Sequence, residues 1–206
     1  MTDASRDAGS LEELWKGEFG DAYVERNTVA VDARGRFWAK VRGQYPFDRV
    51  LEVGCAHGEN LRHLASAIDP HDLYGLDIND RAVAGVHRAV PGANALWGAA
   101  RQLPFRDQYF DAVFTVALLI HQPPATLPLV MSEIVRCSRR WVMCGEYHAD
   151  EETTIEWRGT TDALYKRDYG ALYQELFPEL QHRQTLELTK DDDGFDRVTF
   201  HVFERV

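Results

Sequence analysis

The stretch Val50-Leu-Glu-Val-Gly-Cys-Ala-His-Gly-Glu-Asn-Leu61 decides the fold. It opens with a short, mostly apolar strand, and Gly54 follows with the backbone freedom that a sharp turn beside a ligand requires. Gly58 then opens a helix whose first N–H groups have no partner within the helix itself. This order of strand, glycine turn and helix predicts the first corner of an open α/β sheet, where ligands bind at the carboxyl ends of the strands.

The charges around this corner indicate the kind of ligand it takes. A dinucleotide-binding turn would carry glycines at positions 54, 56 and 59, but this chain has Ala56 and Glu59. Glu52 and Glu59 would repel a pyrophosphate and attract a cationic amino-acid group. Asp77, at the end of the next predicted strand, is suitably spaced to accept hydrogen bonds from both hydroxyls of a ribose. S-adenosylmethionine has an ammonium, a sulfonium and a ribose but no phosphate, so the pattern predicts it as the cofactor.

Strands and helices alternate along most of the chain. Strands are predicted at residues 49–53, 73–77, 94–97, within 109–120 and at 140–146. The helices between them are predicted at residues 58–67, 81–90 and 124–137. Helices at 11–23 and 31–42 come first, and a helix at 162–177 with antiparallel strands at 185–188 and 198–205, joined by a turn at 191–194, comes last.

This alternation predicts a Rossmann-like α/β fold with helices on both faces of the sheet. The expected sheet has seven strands and is mostly parallel, with a C-terminal antiparallel strand and an N-terminal helical cap. We divide the sequence into a flexible tail (residues 1–10), the helical cap (11–46) and one cofactor-binding domain (47–206).

Composition and charge narrow the class of protein. The chain has 206 residues, 45% of them hydrophobic, and a formal net charge of −10, which disfavours a nucleic-acid partner. Its apolar run at 112–120 is shorter than the roughly 20 residues that cross a bilayer, and residues 1–10 lack a secretory signal. The three cysteines form no C-x-x-C pair, which suggests reduced thiols in the cytoplasm. We expect a small-molecule substrate, no membrane partner, no metal site, and a monomer or homodimer.

A further segment supports the same cofactor. Gly98-Ala-Ala-Arg-Gln-Leu-Pro-Phe105, followed by Tyr109-Phe-Asp-Ala-Val113, resembles the loop and fourth strand of class I S-adenosylmethionine-dependent methyltransferases. That family often has an acidic residue where this chain has Ala99, so the adenine contact is expected to come from the backbone. The resemblance implies a cofactor site formed by Glu52, Gly54, Cys55, Ala56, Gly58, Asn60, Asp77, Ile78, Ala99, Ala100 and Ala117.

Residues 11–206 also resemble the methylases associated with pseudaminic acid biosynthesis. The resemblance is carried by Leu14-Trp-Lys-Gly-Glu-Phe-Gly-Asp-Ala-Tyr-Val-Glu-Arg-Asn27, Leu118-Leu-Ile-His121, Glu146-Tyr147, Trp157-Arg-Gly159 and Lys166-Arg-Asp168. The chain departs from that family's pattern at Ala56, where Asn is usual, and at Asp77, where Glu is usual. The resemblance implies methyl transfer but constrains the acceptor only weakly.

Polar residues at the ends of the fourth and fifth strands are the candidate catalytic residues. His121 ends the fourth strand beside the expected methyl group, and a histidine can remove the proton of an attacking hydroxyl. Glu146 and Tyr147 end the fifth strand and are expected to face the same crevice, where they hold the acceptor or orient the base. The alternatives are that His121 caps the following helix and that Glu146 and Tyr147 are ordinary solvent-facing residues.

A last group of residues is assigned to the substrate. It comprises Trp15, Phe19, Tyr23, Arg26, His148, Arg158, Lys166 and Arg167. The N-terminal aromatic residues share one helical face and are expected either to cover the site as a lid or to pack on the sheet. The basic residues are expected to receive a carboxylate or phosphate if they converge, or otherwise to form surface ion pairs.

The sequence therefore predicts a methyltransferase that uses S-adenosylmethionine to methylate a hydroxyl of a small polar metabolite. A sugar, a nucleotide sugar or a natural-product intermediate would fit. One alternative is an N-methyltransferase that acts on an amine. Another is a non-catalytic sensor or pathway partner that binds the same cofactor.

Overall fold

The fold is described from a computed structural model that covers residues 8–21, 31–157 and 160–206. In chain order its elements are α1 (Ala8–Lys16), α2 (Val31–Gln44), β1 (Val50–Val53), α3 (Glu59–Leu64), β2 (Leu73–Asp77), α4 (Asp80–Ala89), β3 (Asn94–Trp97), β4 (Phe110–Val116), α5 (Leu127–Cys137), β5 (Ser138–Glu146), β6 (Thr153–Trp157), β7 (Thr160–Lys166), α6 (Tyr169–Leu176), β8 (Leu180–Leu188), α7 (Lys190–Asp193) and β9 (Val198–Arg205). A single-turn 3₁₀ helix lies at Pro70–Asp72 and another at Leu119–His121.

Within the described ranges, seven strands form one sheet in the order β3-β2-β1-β4-β5-β9-β8. β1 to β5 are mutually parallel, and β9 is antiparallel to both β5 and β8. The predicted Rossmann-like fold is therefore confirmed. The strand order reverses between β1 and β4, and this switch point is where open α/β sheets form their ligand crevice.

Aromatic packing fixes the corner that follows β1. β1 is buried along its whole length, and on one face of the sheet the α2 residue Trp38 lies 4.5 Å from Phe114 between ring centroids. Trp38 Nε1 donates a hydrogen bond to Asn60 Oδ1 at 3.0 Å. A buried indole N–H needs such a partner, and the bond orients the first turn of α3 towards β1.

The predicted helix at 162–177 is wrong in its first half. Residues of β7 pair antiparallel with β6, with Ile155 opposite Leu164, and this hairpin is separate from the large sheet. The helix α6 begins only after Asp168, whose carboxylate accepts a hydrogen bond from Ala171 N at 2.8 Å as an N-cap. The paired threonines at the start of β7 favour extended backbone.

The N-terminal helix also differs from the prediction. It begins at Ala8, inside the expected tail, ends at Lys16, and is followed by a bend and a second helical stretch at 18–21. The remaining predicted elements are found within a few residues of their expected ends, although β8 starts at Leu180 and the turn at 191–194 contains α7. No helix among the described residues is both long and apolar enough to cross a bilayer.

Candidate functional site

A cavity of about 410 Å³ lies at the carboxyl ends of the central strands, partly under α1. This volume is in the usual range for small-molecule sites. The predicted site residues that line it are Trp15, Glu52, Gly54, Cys55, Ala56, Asn60, Asp77, Ile78, Ala100, Ala117, His121 and Tyr147. The fold therefore brings most of the predicted cofactor residues and two of the predicted catalytic residues to one place.

The turn after β1 leaves no room for a side chain at its first residue. Gly54 has φ +76°, and a Cβ added there would lie 2.8 Å from Leu118 Cδ1. Ala56 has φ +45°, a conformation that residues other than glycine rarely adopt. Ala56 N donates a hydrogen bond to Asp77 Oδ2 at 2.9 Å, which ties the ends of β1 and β2 together.

Glu52 is a buried carboxyl group beside this turn, with 2% of its surface exposed. Its Oε1 accepts a hydrogen bond from Asn60 Nδ2 at 2.6 Å. Its Oε2 is buried without a hydrogen-bond partner among the described residues. Burial raises the pKa of Glu52 to about 8, against the opposing effects of the Asn60 hydrogen bond and the Arg34 charge.

Asp77 ends β2 and is held by backbone donors. Its Oδ1 accepts from Asn79 N and its Oδ2 from Ala56 N, both at 2.9 Å. Burial raises the pKa of Asp77, while the hydrogen bonds from Asn79, Ala56 and Ile78 N–H groups lower it. These bonds fix the carboxylate at the cavity wall.

Asn79 joins the cofactor corner to the N-terminal cap. Its Oδ1 accepts from Ala82 N at 3.0 Å and so caps α4. Its Nδ2 donates to Trp15 O at 3.2 Å and to Asp21 Oδ1 at 2.9 Å. One buried amide therefore holds both α1 and the stretch 18–21 over the end of β2.

α1 makes two further contacts with the cavity rim. The Trp15 ring lies 4.5 Å from the His121 ring between centroids, and Phe19 packs edge-on against Trp15 at 5.3 Å. Glu12 forms an ion pair with Arg101 at 2.5 Å. Trp15 lines the cavity, whereas Phe19 is not among the residues that line it.

Glu146 differs from its predicted position, because it does not line the cavity in the described part of the chain. It is 1% exposed and lies behind the loop that carries His121. Its Oε1 accepts from Thr115 Oγ1 at 2.8 Å and from Leu118 N at 3.3 Å, and its Oε2 accepts from Ile120 N at 3.3 Å. Burial raises the pKa of Glu146 to about 7, although these hydrogen bonds lower it.

The predicted basic group does not converge on the cavity among the described residues. Arg167 is buried, pairs with Glu152 Oε2 at 2.6 Å and donates to Gln122 O at 3.0 Å. Lys166 Nζ lies 6.0 Å from the centroid of the Tyr147 ring, and neither Lys166 nor Arg167 lines the cavity.

The other predicted site residues have various positions. His148 interacts with Asp150 at 3.1 Å on the surface. Gly58 and Ala99 are not among the residues that line the cavity, and a Cβ on Gly58 would meet Val86 at 3.1 Å. Tyr23, Arg26 and Arg158 lie outside the described residues.

Sequence reasoning missed cavity residues that come from distant parts of the chain. They include Arg34, Leu164, Lys190, Phe195 and Asp196. No local sequence pattern marks these residues as part of a cavity. The sequence instead predicts α2 as part of the cap, residues 162–166 as a helix and residues 191–194 as a plain turn. Among the described residues, no group of three or more His, Cys, Asp or Glu side chains is arranged to hold a metal ion.

Residues 50–140 match a family model described as a methyltransferase domain. The chain is also similar to sterol 24-C-methyltransferase ERG6B of Gibberella zeae, with 30% identity over 195 residues that cover 84% of this chain and 50% of that protein. It spans half or less of the length of the curated relatives it matches.

Two methyltransferases are among the solved structures that share the fold. The amino pentose methyltransferase CalS10 of Micromonospora echinaspora, solved with bound S-adenosylmethionine, is 15% identical with a TM-score of 0.66, covering 92% of this chain and 97% of that one. The 1,6-didemethyltoxoflavin-N1-methyltransferase of Burkholderia thailandensis, solved with S-adenosylhomocysteine, is 13% identical with a TM-score of 0.72, covering 100% and 92%. The chain therefore has the Rossmann-like fold of these methyltransferases, and its residues 50–140 match the model of a methyltransferase domain.

Proposed function

We propose that this protein transfers the methyl group of S-adenosylmethionine to a hydroxyl of a small polar metabolite. The observation that carries the proposal is a single cavity lined both by Glu52 and Asp77, which suit the cofactor, and by His121, which suits the deprotonation of an acceptor. The resemblance of residues 11–206 to methylases associated with pseudaminic acid biosynthesis supports a sugar, nucleotide sugar or natural-product intermediate as that acceptor.

The chemistry of the cavity fits S-adenosylmethionine. The buried Glu52 Oε2, which has no hydrogen-bond partner among the described residues, matches the ammonium of the cofactor. Asp77 has lone pairs left for ribose hydroxyls beside those its backbone donors use. Gly54 lets the backbone pass close to the ligand. When bound, the cofactor supplies an electrophilic methyl group on its sulfonium.

The rest of the proposed cofactor site is made by residues of the same turns. It comprises Cys55, Ala56, Asn60, Ile78, Ala100 and Ala117 at the cavity, with Gly58 and Ala99 in the same turns. Asn60 has a defined task, because its amide links Trp38 to Glu52 and so holds the carboxyl group in place.

His121 is the proposed base. It accepts the proton that the acceptor oxygen loses as that oxygen gains the methyl group. Its turn is held from behind by Glu146, which we propose as a positioning residue because its oxygens accept from the backbone around Leu118 and Ile120. Trp15 excludes water from one side of the imidazole.

A hydroxyl acceptor is favoured over an amine. Glu146 and Tyr147 are the candidate residues for holding an amine, and among the described residues Tyr147 lines the cavity whereas Glu146 does not. Tyr147 and Leu164 are instead proposed to form part of the acceptor wall. We further propose that residues 11–46 act as a cap on a domain at 47–206, and that the protein works in the cytoplasm as a monomer or homodimer.

Incubation with methyl-labelled S-adenosylmethionine and a panel of amino sugars, nucleotide sugars and small amines, read by mass spectrometry, tests the proposal. We expect label on a hydroxyl of one acceptor class. In a His121→Ala variant we expect turnover to fall about 100- to 10,000-fold, the range for loss of a general base, with little change in the affinity for S-adenosylhomocysteine. His148→Ala is the matched control, since this histidine lies on the surface, and it should keep full turnover.

Three outcomes would count against the proposal. Full turnover in His121→Ala would remove the base role. Label found only on nitrogen would favour the N-methyltransferase. Tight binding of S-adenosylhomocysteine by the wild type, with no labelled product across the panel, would favour a non-catalytic binder.

A further inference from the structure

Arg34 contacts the segment of residues 189–196, which connects β8 to β9. Its Nη2 and Nε both donate hydrogen bonds to Gly194 O, at 2.6 and 3.1 Å. Its guanidinium carbon lies 4.1 Å from the centroid of the Phe195 ring. An arginine held by a carbonyl on one side and an aromatic face on another keeps its planar group in a fixed orientation.

The same guanidinium acts on the carboxylates of the cofactor corner. Arg34 lines the cavity together with Glu52 and Glu59. Its charge lowers the pKa of Glu52, although burial outweighs it, and it also favours the ionised form of Glu59. Arg34 is therefore a cation placed among the acidic groups of this corner.

The charges of the cofactor suggest a binding role for Arg34. This role rests on the proposed function. The amino-acid end of S-adenosylmethionine carries a carboxylate one carbon away from its ammonium. If the ammonium lies at Glu52, the carboxylate enters a region that already holds Glu52 and Glu59, and it would be repelled without a neighbouring cation. We propose that Arg34 is the residue that binds the carboxylate of the cofactor.

The other cations that line the described part of the cavity are less well placed. Arg101 pairs with Glu12 through two hydrogen bonds of 2.5 and 3.1 Å, and it follows β3, two strands away from β1. Lys190 is exposed at the start of α7. Arg34 also offers planar, fork-shaped geometry, which matches a carboxylate better than a lysine ammonium does.

Isothermal calorimetry with two ligands tests this assignment on the intact protein. S-adenosylhomocysteine carries both the ammonium and the carboxylate, and its decarboxylated analogue keeps only the ammonium. In the wild type we expect the decarboxylated analogue to bind about 10- to 100-fold more weakly, as a lost charge-assisted contact predicts. In Arg34→Met we expect the two ligands to bind within about 2-fold of each other, because only the first ligand loses a contact.

Two further variants separate a ligand contact from a structural effect. Arg101→Met removes another cavity cation and should change both affinities by the same factor. Arg34→Lys keeps the charge but not the fork, so it should retain part of the preference for S-adenosylhomocysteine, and it serves if Arg34→Met does not fold. Equal affinity of the wild type for both ligands, or an unchanged preference in Arg34→Met, would overturn the inference. A wild type that binds neither ligand would instead count against the proposed function.

Discussion

Glu52 is a carboxyl group kept out of water at the wall of the cavity. Burial raises its pKa to about 8, so at pH 7 the free protein holds it mainly in the protonated form. An ammonium in contact with it would favour the ionised form. Cofactor binding is therefore coupled to the loss of a proton at this residue.

At the residue scale we predict that binding of S-adenosylhomocysteine at pH 7 releases up to about one proton from Glu52. The affinity of the protein for S-adenosylhomocysteine should rise between pH 6 and pH 8, because ionising Glu52 needs less free energy at the higher pH. Calorimetry in buffers with different ionisation heats measures this release. Glu52→Gln should lower both the proton release and the pH dependence. The same release in Glu52→Gln and wild type would show that the proton comes from elsewhere.

The position of a site residue was predictable where one short segment of sequence determines it. Glu52 and Gly54 follow from the strand and turn around them, and Asp77 from the next strand end. Glu146 was assigned to the wrong side because neighbouring residues of a strand point to opposite faces, and the sequence does not say which one meets the cavity. Arg34 was missed because its role depends on a contact with Gly194, far away in the sequence.

At the element scale, the loop between β4 and α5 is fixed from three sides. Ala117 has φ +53°, the Leu118 side chain fills the space beside Gly54, and Glu146 binds the backbone of the turn at Leu119–His121. A change at Glu146 would therefore alter the position of His121 while leaving the hydrogen bonds of Glu52 and Asp77 in place.

We predict that Glu146→Gln lowers kcat about 10-fold, because an amide nitrogen cannot accept the backbone hydrogen bond that the carboxylate oxygen in its place accepts. The dissociation constant of S-adenosylhomocysteine should stay within about 2-fold, since Glu52 and Asp77 are unaffected. Steady-state kinetics and calorimetry give the two values. Glu187→Gln is the control, because Glu187 also accepts from a threonine hydroxyl, that of Thr199 at 3.1 Å, but outside the cavity. An unchanged kcat in Glu146→Gln would contradict the positioning role.

Elements were predictable where turn residues and periodicity agreed. β2, β3 and β9 have the ends that the sequence predicted, since apolar runs bounded by turns leave few alternatives. The hairpin of β6 and β7 was missed, because its Leu164 and the buried residues that follow fit a helical period as well as a strand. The threonines at the start of β7 and the N-cap at Asp168 are the local features that separate the two structures.

At the scale of the whole molecule, two buried carboxyl groups lie near the same edge of the sheet. The pKa values of Glu52 and Glu146 are raised from 4.5 to about 8 and about 7. Between the unfolded and folded pKa values, the native state holds protons that the unfolded chain has lost. The contribution of these two groups to the free energy of unfolding therefore decreases as the pH rises through this window.

We predict that the free energy of unfolding falls between pH 5 and pH 8, with Glu52 contributing on the order of a few kcal/mol. Chemical denaturation at pH 5, 6, 7 and 8 measures the change. Glu52→Gln should flatten the curve, because the amide does not titrate. Glu151→Gln, a change at an exposed carboxylate, should leave the slope as in the wild type. Parallel curves for wild type and Glu52→Gln would refute the account.

The hairpin of β6 and β7 has one more consequence. In the described part of the chain its strands pair only with each other, while Leu164 reaches the cavity. A hairpin of different sequence could therefore replace it between β5 and α6 without changing the strand pairing of the large sheet. If Leu164 forms part of the acceptor wall as proposed, exchange of this hairpin would change that wall and leave Glu52 and Asp77 as they are.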